Sequence, residues 1–210
     1  TDLVARRPDG SIVTHKLLSE NPEQYEDAAL QGIRDLLGLG KTDDIPASQI
    51  EAVKMGTTVA TNALLERKGE PRALITTEGC SDAPRIGHQT RPKLFALHIE
   101  LPEMLYSRVI EVKERVGATG EMIRPLDTVD ARAKLQEAYD AGLRTCAIVF
   151  MHGYRYPDHE KAVAEIAKGI GFTQISTSHE TSPLMKLVSR GDTTVVDAYL
   201  SPILRRYVDR

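Results

Sequence analysis

Gly56-Thr57-Thr58-Val59-Ala60-Thr61-Asn62 follows a short apolar segment and opens a helical pattern. A glycine and two hydroxyls at a helix N-terminus, where backbone N–H groups lack partners, suit a phosphate or carboxylate. The same threonines also suit simple capping of that helix, so both uses stay open here. His179-Glu180 sits just after a short segment that reads as a strand, Gln174–Thr177, and sets an imidazole beside a carboxylate. That pairing fits proton transfer, and it equally fits a structural ion pair. Arg190-Gly191-Asp192-Thr193-Thr194 reads as a loop running into a helix with Asp192 as its N-cap. The histidines at 15, 88, 98, 152, 159 and 179 have no ligand spacing, so no metal site is expected. His98 and His152 read as histidines with satisfied hydrogen bonds. Walker A, GxGxxG, HExxH and GxSxG patterns are absent, which removes the usual basis for a dinucleotide or serine-nucleophile reading.

These residues need elements to hold them. Leu3–Arg7 and Ile12–Leu17 flank Pro8-Asp9-Gly10-Ser11, a hairpin signal. Asn21 as N-cap, Pro22 at the first helical position and apolar residues at 25, 28, 29, 33, 36 and 37 predict a helix ending at Gly38. Ala52–Met55 reads as a strand, Val59–Lys68 as a helix and Ala73–Thr77 as a second strand, together a crossover unit. Val109–Val112 and the glycine-containing stretch from 114 to 123 suggest a β-rich insertion. A helix over 129–141 follows, with Asp127 and Asp130 in a capping relation at its start. Cys146–Phe150 is a continuous apolar run, the pattern of a strand covered on both faces. Helix from Pro157 to Lys168, strand 174–177 and helix 193–208, apart from Pro202, complete the alternation. Strands alternating with helices imply an α/β fold with a mostly parallel sheet. In such sheets ligands collect beyond the carboxyl ends of the strands, which is where 56–58, 76–79, 152–153 and 178–180 fall.

Composition narrows the function classes. The chain has 210 residues, with 27 basic and 30 acidic side chains and a net charge of −3. That balance offers no basic excess for nucleic acid or an anionic membrane. The longest strongly apolar run, residues 146–151, is too short to span a bilayer. Cys80 and Cys146 are far apart and lack CxxC spacing, and Cys146 in its apolar run reads as a buried free thiol. The start lacks the apolar core of a signal peptide, so a cytoplasmic location is expected. A first residue of Thr and a last one in apparent mid-helix read as a fragment of a longer polypeptide.

The run Met55 to Gly69, MGTTVATNALLERKG, resembles the signature of the hydantoinase A/5-oxoprolinase family. Further stretches similar to family blocks are Leu74–Gly79, Ile86–Gln89, Arg91–Phe95, Glu111–Val116, Pro157–Glu160, Ser178–Glu180, Arg190–Thr194 and Asp197–Pro202. The resemblance covers nearly the whole chain. It implies an actin-like, ribonuclease-H-type ATPase lobe, incomplete at both ends, with residues 1–175 as the N-terminal domain and 176–210 as the start of the next. It also implies ATP with Mg2+, used to phosphorylate the oxygen of a cyclic amide so that the ring can open. An oligomer and a hydantoinase B-type second subunit or fused half are expected as partners. On that resemblance Asp2, Thr57, Thr58 and Asn62 face nucleotide, Arg91 and Arg190 face substrate, and His179 and Asp192 are the catalytic candidates. ATP-dependent ketone carboxylation, a non-catalytic lobe that binds a partner subunit, and an unrelated α/β ligand-binding domain are the alternatives. Two departures from the family pattern stand out. The chain begins at the last two residues of a glycine-rich phosphate-loop block, Thr1-Asp2, and Cys80-Ser81-Asp82-Ala83-Pro84 replaces the aromatic and charged pair expected after Gly79.

Overall fold

The computed structural model describes residues 1–19, 21–67, 69, 71–90, 93 and 95–208. The chain divides into two compact units, Thr1–Thr57 and the part from Thr58 onward.

In the first unit, β1 (Asp2–Arg6) pairs antiparallel with β2 (Ile12–Lys16), Leu3 opposite His15 and Ala5 opposite Val13. Asp9-Gly10 makes the turn as expected: Gly10 takes φ 84° and Asp9 Oδ1 accepts from Ser11 N at 2.9 Å. The helix α1 (Ala28–Leu37) is capped by Asp27, whose Oδ1 accepts from Leu30 N at 2.8 Å, and ends at Gly38 in the left-handed conformation. Asn21-Pro22 does not begin it. Asn21 instead closes a separate turn through its carbonyl, which accepts from Gln24 N and Tyr25 N. Residues 52–55 form no strand; Val53 and Met55 are exposed and no neighbouring strand pairs with them.

The second unit is a layered α/β body. Its sheet has the order β4-β3-β7-β8, all pairs parallel, with β3 (Arg72–Thr77), β4 (Arg108–Val112), β7 (Thr145–Val149) and β8 (Gln174–Thr177). Every residue of β3 and β7 is buried, as central strands covered on both faces must be, and in β3 that includes the polar Arg72, Thr76 and Thr77. Ala73, Ile75, Cys146 and Ile148 point to one face, where they pack with Ala131, Leu135 and Ala138 of α4 (Thr128–Asp140) and Val163, Ile166 and Ala167 of α5 (Asp158–Ile170). Leu74, Ala147 and Val149 point to the other, against Val195 and Ala198 of α7 (Leu187–Val208). The alternation of side chains along a strand produces this division.

Two further elements differ from the sequence reading. Val109–Val112 is not part of an insertion; it lies at the sheet edge beside β3, and only β5 (Arg115–Val116) with β6 (Met122–Arg124) forms a separate antiparallel pair. The last helix starts at Leu187, so Arg190-Gly191-Asp192 lies inside it and Asp192 caps nothing. It also runs through Pro202. The remaining helices are α2 (Val59–Glu66) and the short α3 (Ala83–Ile86) and α6 (Ser178–Thr181). Tyr199 ties α7 to α2 and β3: its hydroxyl accepts from Gly69 N at 2.7 Å and donates to Ala63 O at 3.1 Å, and the Arg72 guanidinium lies 3.9 Å over its ring. No helix among the described residues is long and apolar enough to cross a membrane.

Candidate active site

The carboxyl ends of β7 and β8 meet the first turn of α5, and there a buried polar cluster forms. Glu160, on that turn, is fully buried and accepts four hydrogen bonds. Phe150 N (2.9 Å) and Ser178 Oγ (2.5 Å) donate to Oε1; His179 N (3.1 Å) and His179 Nδ1 (2.8 Å) lie on Oε2. A side chain at Gly153 has no room here, since a Cβ would lie 2.2 Å from Glu160 Oε1. The carboxylate that partners His179 is therefore Glu160 from a distant helix rather than its sequence neighbour: Glu180 Oε1 stands 4.0 Å from His179 Nε2 on an exposed side chain. The His179 side chain is only 10% exposed, and its Nε2 is buried with no hydrogen-bond partner among the described residues.

Arg190 is fully buried. Its Nε donates to Ser178 Oγ at 2.9 Å, one terminal nitrogen to the carbonyls of Leu184 and Met185, and the other to those of Phe150 and Met151. All five N–H groups of the guanidinium are thus occupied within the chain. Burial lowers its pKa from the ordinary value, while the nearby Glu160 and Tyr154 oppose that effect. The sequence reading sets Arg190 at a substrate; the geometry gives it the internal task of holding the turns after β7 and before α7 against Ser178.

A second imidazole–carboxylate pair lies one residue back on α5. His159 Nδ1 is 2.8 Å from Oε2 of the buried Glu114, whose Oε1 accepts from Thr77 Oγ1, and Thr77 Oγ1 in turn accepts from Met151 N at 3.1 Å. Thr77 is committed to this chain of bonds. The turn after β3 is occupied as well: Gly79 N and Ser81 N both donate to Glu111 Oε1, at 3.0 and 3.2 Å, and the bonds with Ser81 lead in lowering the Glu111 pKa.

Gly56-Thr57-Thr58 is exposed. Thr58 stands at the N-cap position of α2 but its hydroxyl makes no capping bond; Asn62 Nδ2 lies 3.5 Å from it. Gly56 has no positive φ, and a Cβ there meets nothing within 4 Å. Local structure among the described residues therefore does not require glycine at 56. Asp2, on β1, lies 3.3 Å from Lys16 Nζ at the surface. Asp192 is on an exposed part of α7, where packing around its carboxyl raises the pKa above the ordinary aspartate value and His88 opposes the shift. Arg91 lies outside the described residues.

Among the described residues no three His, Cys, Asp or Glu side chains converge as a metal cage. A magnesium ion accompanying a nucleotide does not require one, because it is ordinarily held by phosphate oxygens, waters and one or two carboxylates. Cys80 and Cys146 are buried free thiols whose pKa values burial raises. His152, read from the sequence as a histidine with satisfied hydrogen bonds, has Nδ1 at 2.7 Å from Val116 O.

Sequence reasoning missed Glu160, Glu114 and His159. Their partners lie 19, 37 and 45 residues away, and the only local signal was the helix start at Pro157-Asp158-His159-Glu160.

Comparison with known proteins places the chain. It is 41% identical to 5-oxoprolinase 1 of Arabidopsis thaliana over 99% of its own length, and spans 18% of that relative. The ATP-dependent caprolactamase of Pseudomonas jessenii superposes with a TM-score of 0.82 at 27% identity, covering the whole chain and 31% of the caprolactamase chain. The nucleotide-free acetone carboxylase structure shares the fold, with a TM-score of 0.77 at 23% identity over 98% of this chain and 31% of that one. The chain therefore spans less than a third of each of these proteins. Residues 1–171 match the hydantoinase/oxoprolinase N-terminal region, and the chain belongs to that family.

Proposed function

We propose that this chain is part of an ATP-dependent cyclic-amide hydrolase of the 5-oxoprolinase or N-methylhydantoinase type, and that its layered body is one lobe of an actin-like ATPase. Identity of 41% with a 5-oxoprolinase favours an amide substrate over a ketone. An unstrained lactam is a poor electrophile, and converting its carbonyl oxygen to a phosphate ester draws electrons from the carbon. In the reading proposed, the amide oxygen takes the γ-phosphoryl group of ATP and ADP leaves. One water adds to the activated carbon, the ring C–N bond breaks, and the nitrogen departs as an amine with the proton it needs. A second water releases the phosphate from the resulting acyl phosphate.

The observation that carries the nucleotide assignment is Gly56. It is a glycine with ordinary φ and open space around its missing Cβ, followed by a threonine at an N-cap position that does not cap. A backbone approached closely by phosphate explains both features. Asp2, Thr57, Thr58 and Asn62 are assigned with it to ATP on the family resemblance, and Mg2+ supplies counter-charge when the nucleotide is bound. His179 and Asp192 are assigned to the chemistry, and Arg91 to the substrate. A second subunit or fused half supplies the rest of the enzyme.

The test uses the full-length parent with its partner subunit and magnesium. ATP hydrolysis is measured with 5-oxoproline, a hydantoin, or acetone plus bicarbonate. Stimulation by a cyclic amide is expected. Gly56→Ala and Thr58→Ala should raise the KM for ATP about tenfold or more while the melting temperature stays within a few degrees. Stimulation by ketone and bicarbonate alone sinks the amide reading, and unchanged ATP kinetics in both variants sinks the nucleotide assignment.

A further inference from the structure

The arrangement around His179 fixes more than its position. Ser178 Oγ is 2.9 Å from Arg190 Nε, and a guanidinium only donates. The Ser178 proton therefore points away from Arg190, toward Glu160 Oε1 at 2.5 Å. Phe150 N–H is the second donor to the same oxygen. On the other oxygen, His179 N–H is an obligatory donor. Three of the four groups around Glu160 thus bring protons to it, which is the environment of an acceptor-only carboxylate. The fourth, His179 Nδ1 at 2.8 Å, satisfies the geometry only as a donor.

We propose that Glu160 is a positioning residue that holds His179 in its Nδ1–H tautomer, so that the lone pair of the buried, unpartnered Nε2 accepts a proton or hydrogen bond from a ligand. Each part of the cluster serves this end. Arg190 orients Ser178 and has no donor left to compete for the imidazole. Gly153 leaves the space that the carboxylate fills. The backbone N–H and the ring Nδ1 of His179 share Glu160 Oε2, so the residue is held to one oxygen by its main chain and by its ring. A Nε2–H tautomer would instead bury a donor whose nearest carboxylate oxygen, Glu180 Oε1, stands 4.0 Å away, beyond hydrogen-bond reach, and would set a lone pair of Nδ1 against the Glu160 carboxylate.

The role of the ligand rests on the amide-hydrolase reading above. As water adds to the phosphorylated carbon, its oxygen lone pair forms the new C–O bond and one of its protons passes to the Nε2 lone pair. The imidazolium so formed keeps both ring protons, one of them held on Glu160. This is the general-base logic of a carboxylate-oriented histidine.

Two measurements separate the tautomer from the activity. The first is the 15N signature of His179 in the 210-residue chain at a pH where the ring is neutral, with His179→Asn to assign the signal. A protonated Nδ1 and an unprotonated Nε2 are expected; a Nε2–H ring, or one exchanging between the two forms, overturns the proposal whatever the enzyme does. The second uses the full-length parent with its partner. Glu160→Gln should lower kcat about a hundredfold with the KM for ATP changed less than about threefold. Glu160→Asp, which keeps the carboxylate, should recover a measurable part of that loss. Should Glu160→Gln fail to fold, the wild-type 15N signature still decides the tautomer. An Nδ1–H ring together with full activity in His179→Asn would overturn the general-base role and leave the tautomer assignment standing.

Discussion

At the scale of single residues, water and partners decide what each charge can do. Arg190 and Asp192 are two positions apart on α7 and meet opposite fates: the guanidinium is wholly enclosed and fully bonded, whereas Asp192 is an exposed residue whose carboxyl is only partly withdrawn from water. Desolvation disfavours the ionised form of Asp192 and raises its pKa from 3.8. The sign follows from linkage: the folded state holds this proton more tightly than the unfolded chain does. Its contribution to stability is therefore best below the unfolded value and declines as pH rises through the folded one. Asp192→Asn should match the wild type near pH 3 and melt at higher temperature than it near pH 7. A thermal-melt series across that range checks this, and a variant that is less stable at neutral pH shows that the Asp192 carboxylate is favourably bonded after all. The residue-scale features legible in the sequence were the ones with local causes, such as Asp9-Gly10 at its turn and Gly38 ending α1. Glu160 was not legible, because its meaning comes from four donors on two other segments, the turn after β7 and α6.

Elements were legible where their ends carry capping chemistry. Asp127 and Asp130 mark the start of α4, and the structure has Asp130 N donating to Asp127 Oδ1 at 2.9 Å. The reciprocal half of a capping box is absent: Asp127 N donates to Lys113 O, and the Asp130 carboxylate turns to Lys134 and Lys113. Asp is too short to reach back as Glu does, so Asp127 alone supplies the cap. Asp127→Ala should cost about 1 kcal/mol, read as a shift in the denaturation midpoint at constant slope. Asp127→Ser, which keeps an acceptor, should recover most of it; equal losses in both show that the cap does not hold the helix. Elements misread from sequence failed for tertiary reasons. Val53 and Met55 have the residue types of a strand without a neighbour to pair with, and Val109–Val112 gained its place from β3. The Gly191 and Pro202 breaks did not interrupt α7, whose buried face of Val195, Ala198 and Tyr199 is anchored on the sheet and on α2.

For the whole molecule, burial is distributed very unevenly between the two units. In the second, entire strands and the facing sides of three helices are removed from water. In the first, only Ala28, Gln31 and Gly32 are buried among the described residues, and the hairpin shows an alternation of exposed and half-buried positions. Apolar burial is the main term holding a fold together, so the free energy needed to open each region should follow that difference. Native-state hydrogen exchange on the 210-residue chain reads it directly. Amides of β3 and β7 are expected to exchange last and with a denaturant dependence equal to that of global unfolding. Amides of β1, β2 and α1 are expected to exchange by openings of lower free energy and weaker denaturant dependence, since a smaller surface is exposed in each opening. Should β1 and β2 exchange as slowly as β3, with the same dependence on denaturant, the hairpin unfolds only with the sheet, and the stability of the first unit does not come from its own buried residues.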